Sequence, residues 1–234
     1  MKYASIVPAR FLARPNRFIA HVEVDGQEAV AHVKNTGRCK ELLIPGAAVY
    51  LQDWGAEHAG RKTRYDLIAV EKGELPINMD SQVPNKVFAQ WAREGGFVPE
   101  LTCLKPEAKW GNSRFDFYWE AGARRGFVEV KGVTLEQDGH ARFPDAPTAR
   151  GVKHLEELMR ALDEGYEAAV CFVIQMEGMK RFSPNDDTHP QFGAALRKAA
   201  AAGVRVLAME CHVEPDRLEI VRPVPVELEG AGQK

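Results

Sequence analysis

Residues Leu104–Lys131, LKPEAKWGNSRFDFYWEAGARRGFVEVK, read as three consecutive strands joined by two tight turns. Side chains alternate between the two faces of a strand, so each run can be sorted by face. In the last run Phe127, Glu129 and Lys131 share one face, and Val128 and Val130 take the other. In the middle run Arg114, Asp116 and Tyr118 oppose Phe115, Phe117 and Trp119. Gly111-Asn112 and Gly122-Ala123 carry the turn chemistry of two-residue hairpins. The first turn sets Trp110 against Ser113, and therefore Glu107 against Asp116. The second sets Ala121 against Arg124, and therefore Asp116 against Glu129. Directly opposed Cβ atoms lie about 4.5–5.5 Å apart, and like charges at that spacing repel. A row of carboxylates across a sheet is either a solvated face or a cation site, and oxygen ligands of this kind suit Mg²⁺ or Mn²⁺. Slipping either turn by one residue would send an acid to the opposite face. On these residues alone both readings stand.

The rest of the chain narrows the choice. At 234 residues and 45% hydrophobic, it can bury one or two cores. Cys39, Cys103, Cys171 and Cys211 are far apart and form no C-x-x-C, so buried free thiols in a reducing cytoplasm are expected, with neither zinc nor disulfides. The sequence shows no signal-peptide pattern and no apolar run long enough for a membrane span. A net charge of −2 argues against a bulk cationic nucleic-acid binder. Residues 1–50, however, carry seven Lys+Arg against four Asp+Glu, with Arg10, Arg14, Arg17, Lys34, Arg38 and Lys40 close together. Such a bias could meet phosphates, although surface cations need no such explanation.

Residues 1–75 read as short strands, with Asp25-Gly26 marking a hairpin between two β-rich runs. Their spacing suggests a small β-barrel, OB-like, of the kind that binds oligonucleotides. Phe11, Phe18, Tyr50 and Tyr65 could stack bases, but aromatic residues in so small a barrel are more often core. A Pro-punctuated connection follows, with a short helix expected over Asn85–Arg93 and Asn85 as its N-cap. The expected domains are therefore 1–82, the barrel, and 83–234.

Beyond Lys131, Thr148 is a good N-cap for a helix with Val152, Leu155, Leu158 and Leu162 at helical spacing. Its opening turns hold Arg150, Lys153 and His154, a basic cluster that opposes the helix dipole and would suit a bound phosphate. Ala168–Gln175 is a continuous apolar run, as in a buried central strand, with Gln175 at its end. A helix over Phe192–Ala202, a strand at Val204–Met209 and an edge strand at Asp216–Arg222 complete the pattern. The second half thus reads as antiparallel hairpins feeding a mixed α/β sheet.

An acid, then Asp116, then Glu129-Val130-Lys131, followed by a helix and a buried strand, resembles the core of PD-(D/E)XK nucleases. The chain as a whole resembles the sugar fermentation stimulation protein A family of bacteria and archaea. The matching stretches include Arg14-Pro-Asn-Arg-Phe18, Asn35-Thr-Gly-Arg38, Leu42-Leu-Ile-Pro-Gly46, Asn112-Ser-Arg-Phe-Asp116, Glu129-Val-Lys-Gly-Val-Thr-Leu135, Phe143-Pro-Asp-Ala-Pro-Thr148 and Arg150-Gly-Val-Lys-His154. The resemblance implies an α+β two-domain protein: an N-terminal OB-like β-barrel that binds DNA and a C-terminal PD-(D/E)XK, restriction-endonuclease-like, mixed α/β sheet. It also implies nucleic-acid binding with little sequence preference, a nuclease activity and a link to the regulation of sugar metabolism.

The expected chemistry is metal-dependent phosphodiester hydrolysis in the cytoplasm. Asp116 and Glu129, with Glu107 as a further acid, would hold Mg²⁺ or Mn²⁺, and Lys131 would orient the water and offset charge in the transition state. Arg14, Arg17, Lys34, Arg38, Arg114, Arg150, Lys153 and His154 are the candidate nucleic-acid contacts. The expected partner is DNA, with RNA as an alternative. A homodimer is left open and no membrane is involved. Two rival readings are a DNA-binding regulator with an inactive nuclease-like core and a hydrolase of a small phosphorylated metabolite.

Overall fold

Asp25 and Gly26 both adopt positive φ, 50° and 75°, and turn β2 (Ile19–Val24) back into β3 (Gln27–Val33) with Val24 opposite Gln27. Two successive positive φ values are what a tight type I′ hairpin needs, and Asp-Gly supplies them at little cost. This hairpin joins β1 (Ile6–Asn16), β4 (Ala48–Asp53) and β5 (Tyr65–Lys72) in one sheet, and parallel pairing of β3 with β5 closes a five-stranded barrel. β6 (Leu75–Asn78) extends the sheet from β5. Closure leaves few free strand edges and gives the inward-facing Phe11, Val22, Leu51 and Leu67 a dry interior. The computed structural model describes residues 1–35, 37, 39–55, 60–111 and 113–229. Phe11 and Tyr65 are core, Tyr50 is half-buried, and Phe18 is 44% exposed.

The second half is built on a six-stranded mixed sheet. α1 (Val83–Arg93) leads into the antiparallel meander β7 (Leu101–Trp110), β8 (Ser113–Ala121) and β9 (Arg124–Val133). β9 then pairs in parallel with β12 (Glu167–Ile174), which pairs in parallel with β14 (Arg205–Glu214). β15 (Arg217–Pro223) is the antiparallel edge, giving the order β15-β14-β12-β9-β8-β7. Both expected turn centres are present, since Trp110 pairs with Ser113 and Ala121 with Arg124. Asn112 itself lies outside the described residues.

β12 is central and buried on both faces, which is why its sequence is apolar throughout rather than alternating. α1 covers one face of the sheet, where Phe88, Phe97, Phe117 and Trp119 interlock. α2 (Ala149–Asp163) and α3 (Pro190–Ala202) cover the other, with Phe192 of α3 packed toward Phe172 in the same cluster as Phe115 and Phe127. Thr148 caps α2 as expected, its hydroxyl accepting the Gly151 N–H at 3.1 Å. Gly203, at φ 106°, ends α3 in the left-handed conformation.

Two features depart from the expectation. α1 starts at Val83 with Gln82 at the N-cap, because Pro84 already occupies the first turn, where its missing N–H costs nothing. Asn85 is therefore inside the helix and its side chain is free for other use. A small sheet, β10 (Leu135–Gln137), β11 (His140–Phe143) and β13 (Arg181–Pro184), was not foreseen. Its signal was the Asp138-Gly139 pair, again at positive φ.

All four cysteines are free; Cys39, Cys171 and Cys211 are buried, and burial pushes the Cys171 thiol up to about 12. Among the described residues no helix is long and apolar enough to cross a membrane.

Candidate active site at the β8–β9 fork

β8 and β9 pair from Ala121↔Arg124 to Phe117↔Val128 and then part. Phe117 points to the α1 face while Phe115, two residues earlier, packs with Phe127 beneath α2, so the strand turns at Asp116. Where the ladder stops, the Asp116 carboxylate takes over: Oδ2 accepts the Val130 N–H at 2.8 Å, and Oδ1 accepts Asn85 Nδ2 from α1 at 2.9 Å. Burial and the neighbouring Glu129 charge raise the Asp116 pKa above the ordinary carboxylate value, against the pull of these two donors.

Glu129 is 3% exposed. Its Oε1 accepts Lys131 Nζ at 2.6 Å and also the imidazole Nδ1 of His154. Arg150 Nε donates to His154 Nε2 at 3.3 Å, which makes Nε2 the acceptor and leaves Nδ1–H to serve Glu129. Burial acts to raise the Glu129 pKa, but the His154 hydrogen bond and the Lys131 charge outweigh it and hold the carboxyl below its usual value. Two adjacent carboxylates are thus pushed in opposite directions. Glu129 Oε2 is buried with no hydrogen-bond partner, an uncompensated acceptor beside Asp116.

Several expected residues converge here and others do not. Asp116, Glu129, Lys131, His154 and Arg150 share one fork. Glu107 does not join them: it adopts φ 55°, is 57% exposed and pairs with the equally exposed Arg114 at 2.8 Å. Flanked by Pro106↔Phe117 and Ala108↔Phe115, Glu107 stays opposite Asp116 along the ladder, but Asp116 turns into the fork while Glu107 remains on the surface in an ion pair with Arg114. Lys153 is exposed and reaches Glu157 Oε1 at 3.5 Å.

In the barrel, Lys34 proves to be structural. It lies between the buried Asp66 (3.1 Å) and Asp80 (3.3 Å), because a fully buried carboxylate needs a cation close by. Arg14 holds backbone carbonyls of Arg17, Asn35 and Gly37, and Arg17 stacks over the Phe18 ring. Arg38 lies outside the described residues.

Three further side chains take roles that their positions in the sequence do not specify. Asn85 supports Asp116. Glu157 is buried, one turn along α2 from His154, with Oε2 unpartnered. Gln175, at the end of β12, is buried and donates to Asn78 O, Asn78 Oδ1 and Asp80 O, tying the barrel side to the end of the central strand.

Residues 12–79 match the family described as the SfsA N-terminal OB domain, and residues 82–217 match the Sugar fermentation stimulation protein RE domain. The chain belongs to the sugar fermentation stimulation protein (SfsA) family. A sugar fermentation stimulation protein homolog of Desulfitobacterium hafniense strain Y51 is 59% identical over 228 residues, covering 97% of this chain and 99% of the relative. A homolog of Clostridium beijerinckii is 54% identical over the same length, covering 97% and 100%. Among solved structures, Pyrococcus furiosus SfsA in complex with Ca²⁺ superposes with a TM-score of 0.87 at 29% identity, covering 97% of this chain and 98% of the other. The five-stranded barrel is thus an OB domain, and the mixed sheet with its few helices is the SfsA RE domain.

Proposed function

We propose that this SfsA-family chain is a metal-dependent nuclease that acts on DNA or RNA in the cytoplasm with little sequence preference, in a setting linked to sugar metabolism. The carrying observation is the Asp116–Glu129 pair at the strand fork, with Lys131 beside it and Glu129 Oε2 buried and unpartnered. Among the described residues no three His, Cys, Asp or Glu side chains form a ready-made metal cage. That suits Mg²⁺ or Mn²⁺ better than a structural metal, since Mg²⁺ usually keeps several waters and binds through one or two carboxylates plus substrate phosphate. The all-oxygen donor set and the Ca²⁺ bound by the archaeal relative support the same class of hard cation.

Asp116, Glu129 and the Val130 carbonyl would hold the cation, which when bound supplies Lewis acidity and an activated water. The chain's own groups do the rest. Lys131 orients the attacking water and offsets charge developing on the phosphate. His154 and Arg150 hold Glu129 Oε1, so that Oε2 is the oxygen left to act.

A second reading has its own support. Lys131 already offsets the Glu129 charge and His154 hydrogen-bonds it without any metal, as a DNA-binding regulator with an inactive core would require. Incubation with single- and double-stranded DNA and RNA, in Mg²⁺, Mn²⁺ or EDTA, separates the two. The nuclease reading expects cleavage that needs metal and is lost in Lys131→Ala. Binding without any metal-dependent product would favour the regulator.

A further inference from the structure

On the outer rim of the barrel lies a cavity of about 500 Å³ with an apolar floor that includes Phe11 and Leu43 and a rim of Arg14, Arg17 and Lys40. That volume falls in the range of small-ligand sites. Its walls are fixed. Arg14 pins the carbonyls of Arg17, Asn35 and Gly37 at 2.7–2.9 Å, and Asn35 Oδ1 accepts the Gly37 N–H at 2.8 Å. Beside it stands Phe18, 44% exposed, with the Arg17 guanidinium 4.6 Å from its ring centre. An apolar slot edged by cations, next to an open aromatic ring, matches a planar base attached to phosphates.

The cavity is connected to the carboxylate fork. Gly37 lines it, and a Cβ placed on Gly37 would lie 2.3 Å from Asp145 Oδ2, so this loop sits directly against the segment before α2. Thr148, three residues beyond Asp145, caps the helix whose His154, held by Arg150, reaches Glu129.

We propose that this cavity takes one unpaired base of a single-stranded nucleic acid, whose backbone then runs past Gly37 and Asp145 to the opening of α2. The proposal rests on the nucleic-acid reading above and adds strandedness to it. A base in a duplex would have to be unstacked and flipped to enter, whereas a single strand offers it freely.

The test is fluorescence anisotropy of the full chain in EDTA, with three labelled probes: oligodeoxythymidylate, an abasic strand of equal length, and a duplex. Wild type should bind the intact strand about tenfold or more tightly than either other probe, as base contacts of this kind predict. Ala13→Trp, which fills the cavity from its exposed wall, should reduce intact-strand binding to the abasic level. Arg17→Ala and Lys40→Ala should weaken all three probes together and flatten the salt dependence. Equal binding of intact and abasic strands by wild type would overturn the proposal, as would unchanged binding by a folded Ala13→Trp. Should Ala13→Trp fail to fold, the wild-type comparison decides alone. None of these measurements involves cleavage. Intact-strand preference here, with no product in the separate Mg²⁺ or Mn²⁺ incubations, would sink the nuclease reading and leave the base site standing, and the converse pair of results would do the opposite.

Discussion

The Asp116 carboxylate accepts the Val130 backbone N–H at 2.8 Å, taking up the donor left over where β8 and β9 separate. One side chain therefore closes the fork and presents a charge to it. Asp116→Ala should consequently have two effects. It strands the Val130 N–H and Asn85 Nδ2, at a cost of about 1–3 kcal/mol for each buried donor left unsatisfied, and it removes half of the carboxylate pair. Lys131→Ala leaves both fork donors paired and should lower metal-dependent cleavage by about 10²–10³-fold, while also costing stability because it removes the cation beside the buried Glu129. Thermal melts run beside cleavage assays check both: a Lys131→Ala that still cleaves at the wild-type rate, or an Asp116→Ala with an unchanged melting temperature, would contradict these roles.

Thr148 is the hinge between local helix chemistry and the site. Thr148→Ala removes the hydroxyl that accepts the Gly151 N–H and should destabilise the protein by about 1 kcal/mol. Because α2 carries Arg150 and His154, cleavage should fall further than the stability loss explains. Thr148→Ser should restore both. Chemical denaturation together with initial rates reads the difference.

Gly132 follows Lys131 directly and has no room for a side chain. A Cβ there would lie 2.4 Å from Gln175 Oε1 and 2.7 Å from Pro84 Cγ. Gly132→Ala should cost about 1–3 kcal/mol through overpacking and should displace Lys131. The double variant Gly132→Ala with Gln175→Ala relieves the first clash, so a cycle of denaturation measurements should show positive coupling between the two sites. Simple additivity would mean that the predicted contact is not the cause.

Asp66 predicts acid sensitivity. Burial acts to raise its carboxyl, but Lys34, Trp54 and Arg61 overcome that and hold it below the ordinary 3.8. The folded protein thus releases this proton more readily than the unfolded chain. The stabilisation is complete above the unfolded value and is lost as pH falls through the lower folded one. Asp66→Asn should therefore be less stable than wild type at neutral pH, with a gap that narrows below about pH 4. A gap of constant size from neutral to acid pH would show that Asp66 does not carry this linkage.

Much of the site could be read from the chain because turns are local. Gly111 and Gly122 fixed two hairpins, and with them the proximity of Asp116 and Glu129. The same counting set Glu107 opposite Asp116 along the ladder, but it could not show that Asp116 turns away into the fork and leaves Glu107 on the surface. Lys34 was misjudged for a different reason. Its charge was visible, but the burial of Asp66 and Asp80 around it depends on tertiary packing. Asn85 stood out only as a helix cap and Gln175 only as the end of a strand, and Glu157 not at all, since such polar residues acquire their roles from what folds against them. In the small β10-β11-β13 sheet, Asp138-Gly139 marks the β10–β11 hairpin locally, whereas the parallel pairing with β13 depends on tertiary packing.

The buried apolar cluster that begins at Phe11 in the barrel continues without a break to Phe192 on α3. On the opposite side, Ile68 and Ala69 of β5 belong to the core beneath α1. Heat or denaturant has no seam along which to open such a molecule, so the OB and RE portions should melt in one calorimetric transition. An isolated RE segment would expose surface that the barrel normally keeps dry, and its fate in solution would be aggregation rather than independent folding.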